Sequence, residues 1–331
     1  MKEGLSPELI FADIFCNSVL LRRERKPEAC WLLVEGPTDV QALQDHCKNG
    51  ACICKDCDGR GFVIAAIRKA LDPKQQPYGR PLDGIIGLVD SDYCHLIEEK
   101  KLPSRVVMFK GVNDLESAVL SHRGPLILSM LVNIKEWAYS VDSGLDKDPW
   151  GFTNPENPLG ALVKNIVGPI GALRVAFQMM PREYRVGNKK SFSGKLDIER
   201  SHIVERAWKH QNSSLQLTSE ILSGLPIDEL VPGKDDRNKL KNSIESHMKY
   251  VNRNPWSYVR GKDLVSTLAN ALALNQKVLI YNERNSSAKE LDRKIQSMIP
   301  AVFDEEVLEH CKFKELVKEA TRAEGGIYQY F

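Results

Sequence analysis

GIIGLVDSDY, Gly84–Tyr93, is the stretch on which the fold turns. A near-continuous apolar run ends abruptly in Asp90-Ser91-Asp92. A run this short, apolar on both faces, reads as a strand buried on both sides. WLLVEG, Trp31–Gly36, has the same form and ends in an acid and a glycine. Two weaker runs, 51–54 (ACIC) and 105–109 (RVVMF), complete the strand pattern. Helical periodicity fills the gaps. Asp39 to about Lys48 reads as a helix that Thr38 can cap, and 62–71 (FVIAAIRKAL) carries an apolar helical face. DPKQQPYGRP, 72–81, is a turn-rich connection. Asp114–Ser121 reads as a helix with Asn113 as its cap.

Strand–helix alternation over 28–125 predicts an α/β domain with a mostly parallel sheet flanked by helices. Residues 1–27 form a leading helical segment. Residues 126–331 read as a mainly helical C-terminal domain. Its helices are expected at 126–139, 158–179, 198–210, 236–250, 261–275, 287–298 and 303–321. A loop is expected over 140–160 and a short strand near 191–196.

The acids follow the strands. Glu35 ends the first run, with Asp39 in the next helical turn. Asp90 and Asp92 end the strongest run, where extended residues two apart face the same way. Asp114 and Glu116 open the helix after the last strand. The carboxyl ends of a parallel sheet form one edge, where ligands bind. Carboxylates gathered there repel one another unless a cation offsets them, and they suit Mg²⁺ or Mn²⁺. Favourable placement near a helix N-terminus is the competing account of Asp39, Asp114 and Glu116.

Composition is consistent with this. The chain has 331 residues, a net charge of +2, 42% hydrophobic and 27% charged residues. These are the values of a globular chain, not of a uniformly basic nucleic-acid coat. No secretory leader is read at the start, and no stretch approaches the ~20 apolar residues of a membrane span. A cytoplasmic protein without membrane contact is expected.

LLVEGPTDVQAL and GIIGLVDSDY resemble the two motifs of the Toprim domain. That likeness covers about 28–122. NDLESAVL, SFSGKLDIER (Ser191–Arg200) and WSYVRGKDLVSTLANAL (Trp256–Leu272) extend it to Toprim-like nuclease effectors of bacterial anti-phage systems, of the OLD-like and PARIS types. The resemblance implies a metal-dependent endonuclease acting on DNA or RNA, including tRNA, held and released by an ABC-type ATPase partner. It also implies a homodimer. Glu35 would act as general acid/base or metal ligand, Asp90 and Asp92 as ligands, and Glu116 at a second metal. Lys195 would stabilise transition-state charge beside the metals. Lys262 departs from the pattern, which implies histidine between Gly261 and Asp263.

Three further features bear on ligands and cofactors. Arg182, Arg185, Lys189 and Lys190, with Tyr184 and Phe192 among them, suit phosphate contact and base stacking. His46, Cys47, Cys52, Cys54 and Cys57 offer only one ligand-like pair, Cys54 and Cys57, so zinc is disfavoured. Gly59-x-Gly61 lacks the third glycine of a dinucleotide loop, and no Walker A pattern occurs, so a partner must supply any ATPase. A non-catalytic metal- or nucleotide-binding subunit of an ATPase complex is the alternative reading.

Overall fold

The computed structural model describes residues 6–26, 30–47, 52–94, 96–97, 102–109, 111–144, 148, 150–181, 202, 204–205, 227, 231, 233–275, 279–280 and 286–320. The chain divides into two compact units. The first comprises Met1–Ser91, Glu99–Lys110 and Pro300–Phe331; the second comprises Asp92–Glu98 and Gly111–Ile299.

The first unit is built on a four-stranded sheet. Its strands are β1 (Cys30–Val34), β2 (Cys52–Asp56), β3 (Ile85–Leu88) and β4 (Val106–Val107). They lie in the order β2-β1-β3-β4, every pair parallel. Trp31 pairs with Ile85, and Leu88 with Val107. β1 and β3 are buried along their whole length, as continuous apolar runs require. The expected α/β class is therefore present, but two strands differ from expectation. β2 runs on to Asp56, and β4 is only two residues long.

Helices cover the sheet. α1 (Pro7–Arg23) packs on α3 (Arg60–Leu71), and Phe15, Trp31, Val63, Ile67 and Ile85 share one core. Gly87 in β3 permits the close approach of α3, because a Cβ there would fall 2.6 Å from Val63. α2 (Pro37–Leu43) is shorter than expected, with Gly36 rather than Thr38 at its N-cap. The Asp39 carboxylate takes the cap role by accepting from the Gly36 N–H at 3.0 Å.

The second unit is helical. It contains α4 (Leu115–Leu131), α5 (Ile134–Asp142), α6 (Gly160–Gln178), α7 (Lys234–Val251) and α8 (Gly261–Leu274). α6 contains a π-helical turn over Val163–Val167. α9 (Ala288–Val302) begins in this unit, and the chain re-enters the first unit at Pro300. α10 (Glu305–His310) and α11 (Phe313–Ala320) follow there, with Phe313 6.0 Å from Phe109 ring to ring.

This division corrects the expected boundaries. A cut at residue 125 would fall inside α4, which runs through Pro125. The N-terminal segment is not separate, because α1 buries Ala12, Phe15, Cys16 and Val19. The last two helices belong with the sheet, not with the helical unit. The expectation that no stretch approaches a membrane span is also corrected. α6 is 19 residues long and apolar enough to cross a bilayer, but 78% of its most apolar 18-residue window is buried inside the protein. The helix expected at 198–210 and the strand near 191–196 fall almost wholly outside the described residues.

Candidate functional site

Glu35 leaves β1 directly, and Asp90 lies just past β3. These strands are neighbours, so their exits sit side by side. Glu35 Oε1 accepts a hydrogen bond from the Asp90 backbone N–H at 2.8 Å. The Glu35 carbonyl accepts from Gly59 N–H at 2.8 Å, which ties in the exit of β2. One residue thus links three strand ends, and both carboxylates are half-buried. Asp58 and Gly59 complete the β2 exit with φ of 61° and 116°, the left-handed region where glycine is favoured.

The sequence reading missed two acids here. Asp56 ends β2 and Asp58 follows it, both exposed at the same end of the sheet. Their signal was hidden because that strand was expected to stop at Cys54. Asp39, half-buried, is engaged at the start of α2 as described.

The other expected acids lie in the second unit. Asp92 is exposed, and it is not in the extended geometry expected for it. Asp92 and Tyr93 both have positive φ, 43° and 68°, so the chain reverses there. Left-handed backbone costs about 1–2 kcal/mol for a residue with a Cβ, and the surroundings must hold it. Asn113 does so, its Oδ1 accepting from Tyr93 N–H at 3.0 Å. Its amide then donates to the carbonyls of Ser257 (3.1 Å) and Val259 (2.7 Å). Asn113 is therefore a clamp rather than the expected helix cap.

Asp114 is the cap of α4. Its carboxylate, 4% exposed, accepts from Ser117 N–H at 2.8 Å. Gly261 N–H donates to both of its oxygens, at 3.0 and 2.7 Å. Burial, helped by the charge of half-buried Glu116, pushes the Asp114 carboxyl up to about 7. A Cβ at Gly261 would strike Glu116 and would come 2.5 Å from Asp114 Oδ1. Two residues on, Asp263 receives a bidentate bond from Arg174, at 2.7 and 2.9 Å, with both side chains buried. Lys262 between them is exposed. NDLESAVL and WSYVRGKD thus recognise each other: Asn113 and Asp114 are satisfied by Ser257, Val259 and Gly261. The Asp114 oxygens are taken up by the fold.

The basic residues Arg182, Arg185, Lys189, Lys190 and Lys195 lie outside the described residues. His46 packs against Phe303 and sits 3.5 Å from Glu305, away from any thiol pairing. Cys47, Cys52, Cys54 and Cys57 are buried free thiols, and burial pushes Cys57 up to about 12. Among the described residues, no three His, Cys, Asp or Glu side chains converge on a single ion position.

In comparison with known proteins, the chain matches no family model, no curated protein and no solved structure.

Proposed function

We propose that the chain is a Mg²⁺- or Mn²⁺-dependent nuclease effector with a Toprim-like sheet unit. Its catalytic centre lies at the exits of β1 and β3. The observation that carries this reading is the Glu35–Asp90 bond, which holds the Glu35 carboxylate against the Asp90 backbone at adjacent ends of a parallel sheet. Such ends are where ligands bind in open α/β sheets. The donor chemistry fits a hard cation, since both groups offer only carboxylate oxygens and neither is fully buried. Glu35 and Asp90 would hold it, and it would supply Lewis acidity toward a phosphodiester. Glu35 would also take or give a proton at the strand exit, as a half-buried carboxylate can. Asp56 and Asp58 add negative charge to the segment that leaves β2.

Motif resemblance extends the proposal to a cytoplasmic anti-phage effector that cleaves DNA or RNA. An ABC-type ATPase partner would hold it inactive, and Lys195 and the basic residues 182–190 would contact the substrate. The test is cleavage of defined DNA, RNA and tRNA by the purified chain with Mg²⁺ or Mn²⁺, alone and with that ATPase. Cleavage that survives Glu35→Gln undiminished would sink the assignment.

A further inference from the structure

A surface helix ordinarily turns a polar face to solvent. α1 does not. It buries Ala12, Phe15, Cys16 and Val19 in the sheet unit, yet its opposite side is also aliphatic. Ile10 is 46% exposed, and Ile14 and Leu21 are each 64% exposed. Ile10, Ile14, Asn17 and Leu21 follow one another at intervals of four, three and four residues, so they form one stripe along the helix. This is the spacing of a helix–helix seam. A helix that is apolar on both sides belongs in contact on both sides.

The stripe is complementary to itself. Set antiparallel about a two-fold axis level with Phe15 and Cys16, Ile10 lies opposite the partner's Leu21, and Ile14 opposite the partner's Asn17. The helix ends decide the direction. Glu8 stands in the first turn, Arg22 and Arg23 in the last, and Arg25 and Lys26 just beyond. A parallel pair would set these cations against their own copies. An antiparallel pair brings them toward the acidic first turn and opposes the two helix dipoles. Asn17, in the middle of the stripe, disfavours shifted registers, as a lone polar residue in such a seam does.

We infer that a second copy of this chain covers the stripe, in an antiparallel α1–α1 pair centred on Ile10, Ile14 and Leu21. A contact one helix wide is small, so the pair forms and dissociates with concentration. The inference rests on the residues of α1, not on motif resemblance, and does not depend on cleavage at the Glu35 end.

Sedimentation equilibrium of the full chain in reducing buffer, from micromolar to several hundred micromolar, tests it. The chain should pass reversibly from monomer to dimer. Ile14→Glu should weaken the dimer about tenfold or more, because each copy then sets an unpaired carboxylate in the seam. Ile10→Glu and Leu21→Lys should each weaken it alone. Mixing these two variants should restore a heterodimer, since only the antiparallel pair brings position 10 against position 21. All three positions are exposed, and circular dichroism checks that the variants fold. A chain that stays monomeric throughout would overturn the inference. So would a dimer indifferent to Ile14→Glu, or a mixture that fails to reassociate. Co-sedimentation of a monomeric chain with mixed zwitterionic and anionic lipid vesicles, lost in Ile14→Glu, would assign the stripe to a membrane surface instead and overturn it too.

Discussion

The backbone N–H of Gly261 donates to both carboxylate oxygens of Asp114, across 147 residues of chain. This contact joins the start of α8 to the start of α4, and it gives Gly261 a job that no other residue can do. Gly261→Ala should destabilise the protein by about 1–3 kcal/mol through overpacking against Glu116 and Asp114. Asp114→Ala should cost about 1–2 kcal/mol for the lost cap, and more for the stranded Gly261 N–H. Urea denaturation midpoints of the two variants check both values. A loss below a few tenths of a kcal/mol in either would contradict the packing.

Arg174 and Asp263 form a second long-range tie in the same unit. Removing one partner strands a buried charge, so Arg174→Met alone should cost about 3–5 kcal/mol. Asp263→Leu alone should cost a similar amount. The double variant should lose less than the sum of the two, which a double-mutant cycle reads directly.

At the exits of β1 and β3, Glu35→Gln preserves an acceptor for the Asp90 N–H while removing the charge. The expected outcome is unchanged thermal stability with abolished nucleic-acid cleavage. Glu35→Ala should abolish cleavage and also lower stability by about 1 kcal/mol, because the Asp90 amide loses its partner. A melting temperature measured beside the cleavage assay separates the chemical loss from the structural one.

His247 is half-buried, and its Nδ1 lies 2.9 Å from the Tyr258 hydroxyl. Burial lowers its proton affinity in the folded protein. The unfolded chain therefore takes up a proton first as pH falls below the ordinary histidine value near 6.5. Stability contributed by neutral His247 is fully present above that value and is lost as pH drops toward the lowered folded one. The unfolding free energy should decline between pH 7 and 5, and His247→Gln should flatten that decline.

The sheet was legible because β1 and β3 are short, apolar on both faces and terminated by acids. Glu35 and Asp90 followed from those terminations. The Asp92 conformation did not, because a left-handed Asp-Tyr pair carries no glycine to announce it. It depends on Asn113, 20 residues on. The roles of Asn113 and Asp114 were exchanged for the same reason. Either side chain can cap a helix, and only the distant Ser257–Gly261 segment decides which one does. The boundaries failed most clearly at α10 and α11. An amphipathic helix shows in its sequence that it has an apolar face, but not which core receives it.

The return of α11 beside β4 bears on how the protein is made. Translation delivers β1 to β4 early, yet the helices that finish their unit follow only after the other unit's main segment. Until then nearly 200 residues of the other unit intervene, as Gly111–Ile299. The nascent sheet must wait, with part of its apolar surface exposed to chaperones and to neighbouring chains. A message broken anywhere in that interval would yield the sheet without its closing helices, so the unit is complete only once α11 has been made.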